Sequence, residues 1–167
     1  MSDVSIRRVE QGDLPALLDI YNHYVVHTPI TFDIEPRTLA QRQQWLDQFK
    51  PTGRFQCFVA VRGNTPLGWA SSVRFKDRAA YDTSVESGIY LAPDETGRGL
   101  GRRLYGTLLE ALAGEDIHRA FGGVTQPNEA SCGLHLAMGF RHVGTYREVG
   151  RKFGRFWDVA WYERPVS

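Results

Sequence analysis

The sequence predicts one α/β domain of the mixed α+β kind, a seven-stranded mixed sheet with about four helices packed on it. Three observations lead there. Apolar content of 42% and charged content of 23% over 167 residues are globular values with no composition break, so residues 1–167 read as a single domain. Period-2 runs and helical apolar stripes follow one another in the order β-α-α-β-β-β-α-β-α-β-β. Gly63-Asn64 lies between two apolar runs, which is hairpin chemistry, so those strands run antiparallel and a doubly wound parallel sheet is excluded.

Taken in order, Val4 to Val9 alternates and reads as the first strand. Asp13 is the expected N-cap of a helix with Leu14, Leu17, Leu18, Tyr21 and Val25 on one side. A polar loop with Pro29 and Pro36 leads to a second helix from about Thr38, with Leu39, Leu46 and Phe49 inward. Phe55 to Val61 and Leu67 to Val73 are the hairpin strands, and Ser84 to Leu91 is the next strand. From about Gly99 to Ala113, Leu100, Leu104, Leu108 and Leu112 form one helical stripe. Ala120 to Thr125 is a strand, and Asn128 to Met138 is a helix closed by Gly139 as its C′ residue. Arg141 to Val149 and Phe156 to Glu163 are the final strands.

A formal net charge of +1 gives no global field to recruit nucleic acid or an anionic membrane. Cys57 and Cys132 are far apart and form no Cys-x-x-Cys pair, so no disulfide framework or metal site is expected. The N-terminal stretch from Met1 to Arg8 lacks an apolar signal core, and no run approaches the ~20 apolar residues of a membrane span. A cytoplasmic location is expected.

The most informative segment runs from Ile89 to Leu104. An apolar strand ends at Pro93, then Gly97, Gly99 and Gly101 alternate with other residues before a helix begins. Glycines let the backbone turn sharply beside a ligand, and a helix N-terminus with Arg98, Arg102 and Arg103 nearby favours a pyrophosphate. A Walker A loop would follow Gly101 with Lys-Ser/Thr, but Arg102-Arg103 stand there. A Rossmann fingerprint needs Gly-x-Gly-x-x-Gly in a parallel βαβ unit, and both spacing and context differ here.

Thr96-Gly97-Arg98-Gly99-Leu100-Gly101 resembles the acetyl-CoA-binding motif of the GNAT superfamily of N-acetyltransferases, with Thr96 where the family usually has Gln or Arg. The order of elements also resembles that fold over essentially the whole chain. The resemblance implies acetyl-CoA as co-substrate, held at Thr96 to Arg102, at backbone groups of Ile89 and Leu91, and at Asn128, which could also cap its helix. The stretch Phe75 to Ser87, Leu134-His135 before Gly139, and Trp157-Asp158-Val159 are similar to the phosphinothricin acetyltransferase subgroup, whose relatives act on methionine sulfone or sulfoximine. That likeness implies acetylation of the α-amino group of a small amino-acid-like substrate by direct transfer. It makes Glu86 the base and His135 a candidate to protonate the departing CoA thiolate. A solvent-facing or ion-paired Glu86 and a packed His135 are the alternatives that composition alone leaves open.

Lys76 and Arg78 with Tyr81 beside them, and more weakly Arg74, are implied as holders of the substrate's anionic group, with Thr31 and Phe32 on the opposite wall. Cys57 and Cys132 are read as small packed residues, not nucleophiles. The subgroup implies a homodimer; the basic and aromatic residues from Arg151 to Trp157 superficially suggest nucleic-acid binding, but with net charge near zero a β-hairpin at a subunit interface or cofactor rim is the more economical reading. Two other readings remain: a GNAT enzyme for another amine, such as a polyamine, an aminoglycoside or a protein N-terminus, and a non-catalytic acyl-CoA-binding module.

Overall fold

In the computed structural model, which describes residues 3–166, the alternating runs become strands β1 (Val4–Arg8), β2 (Cys57–Arg62), β3 (Thr65–Arg74), β4 (Ser84–Leu91), β5 (Arg119–Thr125), β6 (Arg141–Lys152) and β7 (Arg155–Pro165). The helices are α1 (Leu14–His27), α2 (Leu39–Asp47), α3 (Leu100–Leu112) and α4 (Glu129–Ala137). Residues 1, 2 and 167, which the 1–167 domain expectation includes and two of which open the stretch read for a signal core, lie outside the described residues. Among the described residues no helix is long and apolar enough to cross a membrane.

The strands form one sheet in the order β1-β2-β3-β4-β5-β7-β6, antiparallel everywhere except between β4 and β5. Both faces are covered, and the alternation of β2 shows how. Phe58 and Ala60 join the cluster built on the α3 leucines, while Cys57, Val59 and Val61 join Leu17, Ile20 and Trp69 on the α1 side. Leu100, Leu104, Leu108 and Leu112 are all buried, as their spacing requires. Gly63 and Asn64 make the two-residue turn between β2 and β3, with Arg62 opposite Thr65 and Gly63 at a φ of 60°. Gly139 closes α4, where Phe140 N–H donates to His135 O (3.0 Å) and Gly139 N–H to Leu136 O (3.1 Å).

Two local expectations are corrected. Asp13 stands at the N-cap position of α1 but does not cap it with its side chain; its carboxylate turns back to accept the Glu10 N–H (2.8 Å) and the two terminal guanidinium nitrogens of Arg7 (2.8 Å each). Arginine across a bidentate pair outcompetes a single backbone N–H for that carboxylate. Leu39 is not inward but 55% exposed, because it stands at the first position of α2, ahead of the packed turns. The inward face of α2 carries Arg42 and Leu46 instead, both buried, with Trp45 packed beside them.

The one parallel pairing is short. β4 and β5 register only from Ser84–Arg119 to Glu86–Phe121, whereas β4 stays paired with β3 as far as Leu91. Beyond Glu86 the two parallel strands part, and the sheet opens into a cleft. This opening positions everything that follows.

Candidate active site

Two adjoining cavities fill the opening between β4 and β5. One, of about 430 Å³, runs along the glycine turn and the start of α3; the other, of about 280 Å³, lies deeper against Glu86. They share Ile30, Ile89, Tyr90, Asn128 and Ser131, so a ligand in the first reaches the second.

The outer cleft takes its shape from the backbone. Gly97 and Gly99 have φ of 74° and 78°, values that side-chain-bearing residues adopt at a cost. Gly99 delivers the chain directly into α3, where the first helical bond joins Arg103 N–H to Gly99 O (3.3 Å). The N–H groups of Leu100, Gly101 and Arg102 therefore have no partner within the helix and sit at its positive dipole end. Thr96, Gly97, Gly99, Gly101, Arg102, Leu91 and Asn128 line this cleft. Asn128 also accepts the Ser131 N–H (3.1 Å) as the cap of α4, so one side chain fixes the helix start and faces the cleft.

Two members of the expected cofactor set are placed differently. Leu100 is buried in the core and Arg98 lies 3.9 Å from Glu95, and neither lines the cleft, which leaves them their backbone N–H groups. Thr96 spends its hydroxyl on Pro93 O (3.2 Å), closing the short turn before the glycines. Arg103 points away, donating to Val4 O (3.0 Å). Beneath the turn, buried Glu95 is clasped by Arg62 (2.7 and 3.1 Å), which holds its carboxyl below the usual carboxylate range.

Glu86 lies in the inner chamber at the last paired position before β4 and β5 part, opposite Phe121 on one side and Val73 on the other. Burial raises its pKa, and among the described residues no cation pairs with it. Of the alternatives of a solvent-facing or an arginine-paired carboxylate, neither describes Glu86, which is half-buried and joins no ion pair among the described residues.

His135 lines the same chamber, buried among the rings of Tyr105, Phe140 and Tyr162. Its Nδ1–H donates to Ser131 O (2.8 Å), and its Nε2 faces the Tyr105 hydroxyl at 3.5 Å. Burial lowers its pKa, so the ring is neutral at physiological pH with Nε2 as its acceptor face. β5 makes room for the ring at Gly122, where a Cβ would lie 2.6 Å from Nε2. Tyr105 in turn hydrogen-bonds Ser87 (2.6 Å), whose hydroxyl reaches Phe121 O (3.1 Å).

The expected anion clamp does not come to this chamber in the single chain. Arg74, Lys76, Arg78 and Tyr81 are exposed and none lines the cavity. Phe75 stacks on Phe121 with ring centroids 4.3 Å apart, neither ring lines the chamber, and the loop that follows is exposed. Lys76 sits 5.4 Å from the Phe75 and Tyr81 ring centroids, and Arg74 donates to Asp77 O (3.3 Å). Thr31 and Phe32 support the chamber from behind while Ile30 takes the wall: the Thr31 hydroxyl meets Tyr21 OH (2.9 Å), its carbonyl accepts from Lys152 (2.8 Å), and Phe32 lies over Gly150. Cys57 is buried with its thiol pKa pushed up, which leaves it inert.

Among the chamber residues that sequence reasoning did not assign to the site are Tyr21, Arg42, Trp69 and Tyr90. Trp69 and Tyr90 are cross-strand partners with stacked rings 5.0 Å apart, a juxtaposition that strand register alone decides. Arg42 had a usable signal, since Arg42, Leu46 and Phe49 share one helical face.

Comparison with known proteins agrees with this geometry. The model of the Acetyltransferase (GNAT) family matches residues 17–140. A phosphinothricin N-acetyltransferase of Streptomyces coelicolor is 53% identical over 167 residues, covering 99% of this chain and 98% of that one. An L-methionine sulfoximine/L-methionine sulfone acetyltransferase of Pseudomonas aeruginosa is 33% identical, covering 95% of this chain and 92% of that one. The crystal structure of a GNAT superfamily phosphinothricin acetyltransferase from Sinorhizobium meliloti in complex with acetyl-CoA superimposes with a TM-score of 0.92 at 27% identity, covering 99% of this chain and 89% of that one. A split between parallel β4 and β5, a glycine turn feeding a helix N-terminus and these likenesses lead to one conclusion: the chain belongs to the GNAT family and is an N-acetyltransferase.

Proposed function

We propose that this enzyme transfers the acetyl group of acetyl-CoA directly to the α-amino group of a small amino-acid-like acceptor of the phosphinothricin, methionine sulfone or methionine sulfoximine type. The observation that carries the reading is Glu86, an unpaired, partly buried carboxyl in a small chamber continuous with a pyrophosphate-shaped cleft. The cleft suits acetyl-CoA because the free N–H groups at the start of α3 and Arg102 complement a pyrophosphate. Its apolar walls at Ile89, Leu91 and Leu134 suit the pantetheine arm.

In this reading Glu86 removes one proton from the acceptor's ammonium group, directly or through one water. The freed amine attacks the thioester carbonyl, whose oxygen gains charge and is met by a β4 backbone N–H near Ile89. Attack forms the carbon–nitrogen bond; as the intermediate collapses, its nitrogen gives up a second proton to water, the carbon–sulfur bond breaks, and the departing thiolate takes up a proton from water to leave the amide and free CoA thiol. Neutral His135, with Nδ1–H committed to Ser131 O, serves this step as an ordered wall; donation from Nε2 would require an imidazolium that burial disfavours.

Release of free thiol from acetyl-CoA tests the acceptor class. Phosphinothricin, methionine sulfone and methionine sulfoximine are expected to support turnover, whereas spermidine, an aminoglycoside and a peptide N-terminus are not. The reverse ranking removes the amino-acid reading. Tight acetyl-CoA binding with no thiol release from any acceptor favours a non-catalytic module.

We further propose a cytoplasmic homodimer. Tyr146, Val149, Phe153 and Phe156 on the β6–β7 hairpin are each more than half exposed, apolar area that a second copy would cover in this reading. Sedimentation equilibrium is expected to give twice the 18.9 kDa chain mass; a monomer at micromolar concentration contradicts this.

A further inference from the structure

The floor of the Glu86 chamber has a gap where two small residues meet. Residues two apart on a strand share a face, so Glu86, Gly88 and Tyr90 of β4 lie in one row. Their cross-strand partners on β3 are Val73, Ser71 and Trp69, and both rows line the chamber. The floor is bulky at one end, where the Trp69 and Tyr90 rings stack 5.0 Å apart, and carries the Glu86 carboxyl at the other. Between these ends Gly88 and Ser71 stand opposite each other and leave a notch.

The fold explains neither residue of this pair. A Cβ at Gly88 would meet nothing within 4 Å, and the backbone there is not left-handed, so neither packing nor conformation requires glycine. At Gly122 and Gly123, by contrast, a Cβ would lie 2.6 Å from His135 and 3.1 Å from Trp161. Glycine inside a strand weakens it, and it recurs where a ligand approaches the backbone closely. Ser71 is 7% exposed, and among the described residues its hydroxyl has no hydrogen-bond partner, while its oxygen is not sealed from solvent. The buried hydroxyls of Ser72 and Ser87 nearby are both answered, by Arg54 O (2.8 Å) and Phe121 O (3.1 Å). A nearly buried hydroxyl with no internal partner is satisfied only by a molecule in the chamber, water or ligand.

We infer that the Ser71–Gly88 notch is the side-chain subsite of the acceptor chamber, admitting a neutral, oxygen-bearing side chain over Gly88 and hydrogen-bonding it from Ser71. This assignment rests on the amino-acid reading of the function and deepens it by naming what sets acceptor size. With its amine at Glu86, an acceptor reaches Gly88 through its side chain. Two residues along a strand span ~7 Å, about the reach from the amine of methionine sulfone to its sulfone oxygens. The Trp69 and Tyr90 rings then bound the notch on the side of the terminal methyl group. Ser71 and Gly88 carry no charge, so the notch offers nothing to the acceptor's anionic group.

The test measures thiol release from acetyl-CoA with methionine sulfone, norleucine and alanine as acceptors. The wild-type enzyme is expected to prefer methionine sulfone to alanine on the order of 100-fold in kcat/KM. It should prefer the sulfone about 10-fold to norleucine, which has similar length without the oxygens. Gly88→Val puts a branched side chain into the notch and should lower the sulfone-to-alanine ratio about 10-fold or more. Ser71→Ala removes the donor with little change of volume and should bring the sulfone-to-norleucine ratio close to one. A folded variant of either kind that keeps its wild-type ratio overturns the assignment while leaving the amino-acid reading intact. So does a wild-type enzyme that prefers alanine to methionine sulfone. A wild-type enzyme that acetylates none of these acceptors and not phosphinothricin overturns both. Should Gly88→Val fail to fold, Gly88→Ala, which adds one carbon to open space, carries the same comparison with an expected shift of about 5-fold. An unmoved ratio in that variant also overturns the assignment.

Discussion

Glu86→Gln is expected to lower kcat/KM on the order of 10²- to 10⁴-fold at neutral pH, the usual contribution of a positioned base. The loss should shrink as pH rises, because an increasing share of acceptor is already the free amine. In the wild type the acid limb reports the ionisation of Glu86, which must be charged to accept a proton. Burial raises its pKa, so activity should begin to fall at a higher pH than an ordinary glutamate would give. Stability should move in the opposite sense. A carboxyl whose folded pKa is raised binds more protons in the folded state, so stability falls as pH rises from the ordinary glutamate value through the raised one, and stays lower above it. Glu86→Gln removes that penalty and should raise Tm at pH 8. A variant that is slower yet more stable separates a catalytic carboxylate from a structural one; an unchanged rate profile removes Glu86 from the chemistry.

Gly99→Val is expected to damage acetyl-CoA binding rather than the fold as a whole. A Cβ at Gly99 would meet nothing within 4 Å, so no packing clash arises in the free protein. The cost is conformational. A φ of 78° is strained for a β-branched residue by ~1–2 kcal/mol or more, and relief would tilt the first turn of α3. The N–H groups that face the pyrophosphate would lose their common aim, and Kd for acetyl-CoA should rise about 10-fold or more. Calorimetric titration measures this directly. An unchanged Kd would show that the turn's geometry does not hold the cofactor.

What the sequence revealed and what it concealed divide along physical lines. The α3 stripe, the Gly63-Asn64 hairpin, the glycine turn and the α4 closure at Gly139 are local features, set by side-chain period and backbone φ, and they stand where the spacing placed them. Element order followed from these. α2 shows the limit of that logic: hydrophobicity favoured Leu39 as inward, but end position exposed it and a stack of Tyr21, Trp45 and Trp69 drew Arg42 inside. The chamber itself is non-local. It exists because β4 and β5 pair for only three positions before parting, a length that no run of residues announces. The same holds for the loop cations Lys76 and Arg78. Their charge was visible in the sequence, but the path of the loop that leaves both exposed and outside the chamber lining was not.

Glu86 and His135 line the inner chamber and Asn128 its junction with the outer cleft, so the proposed reading places acceptor and cofactor in adjoining spaces. The direct measurement is therefore the structure of the product. Incubation of the enzyme with acetyl-CoA and methionine sulfone or phosphinothricin should yield one acetyl group per acceptor, attached to the α-nitrogen, with one free CoA thiol for each. Mass spectrometry and proton–carbon correlation spectra identify the site of attachment. Equal amounts of N-acetylated product and thiol are the expected result; thiol release without an α-N-acetyl product, or no turnover of either acceptor, would contradict it.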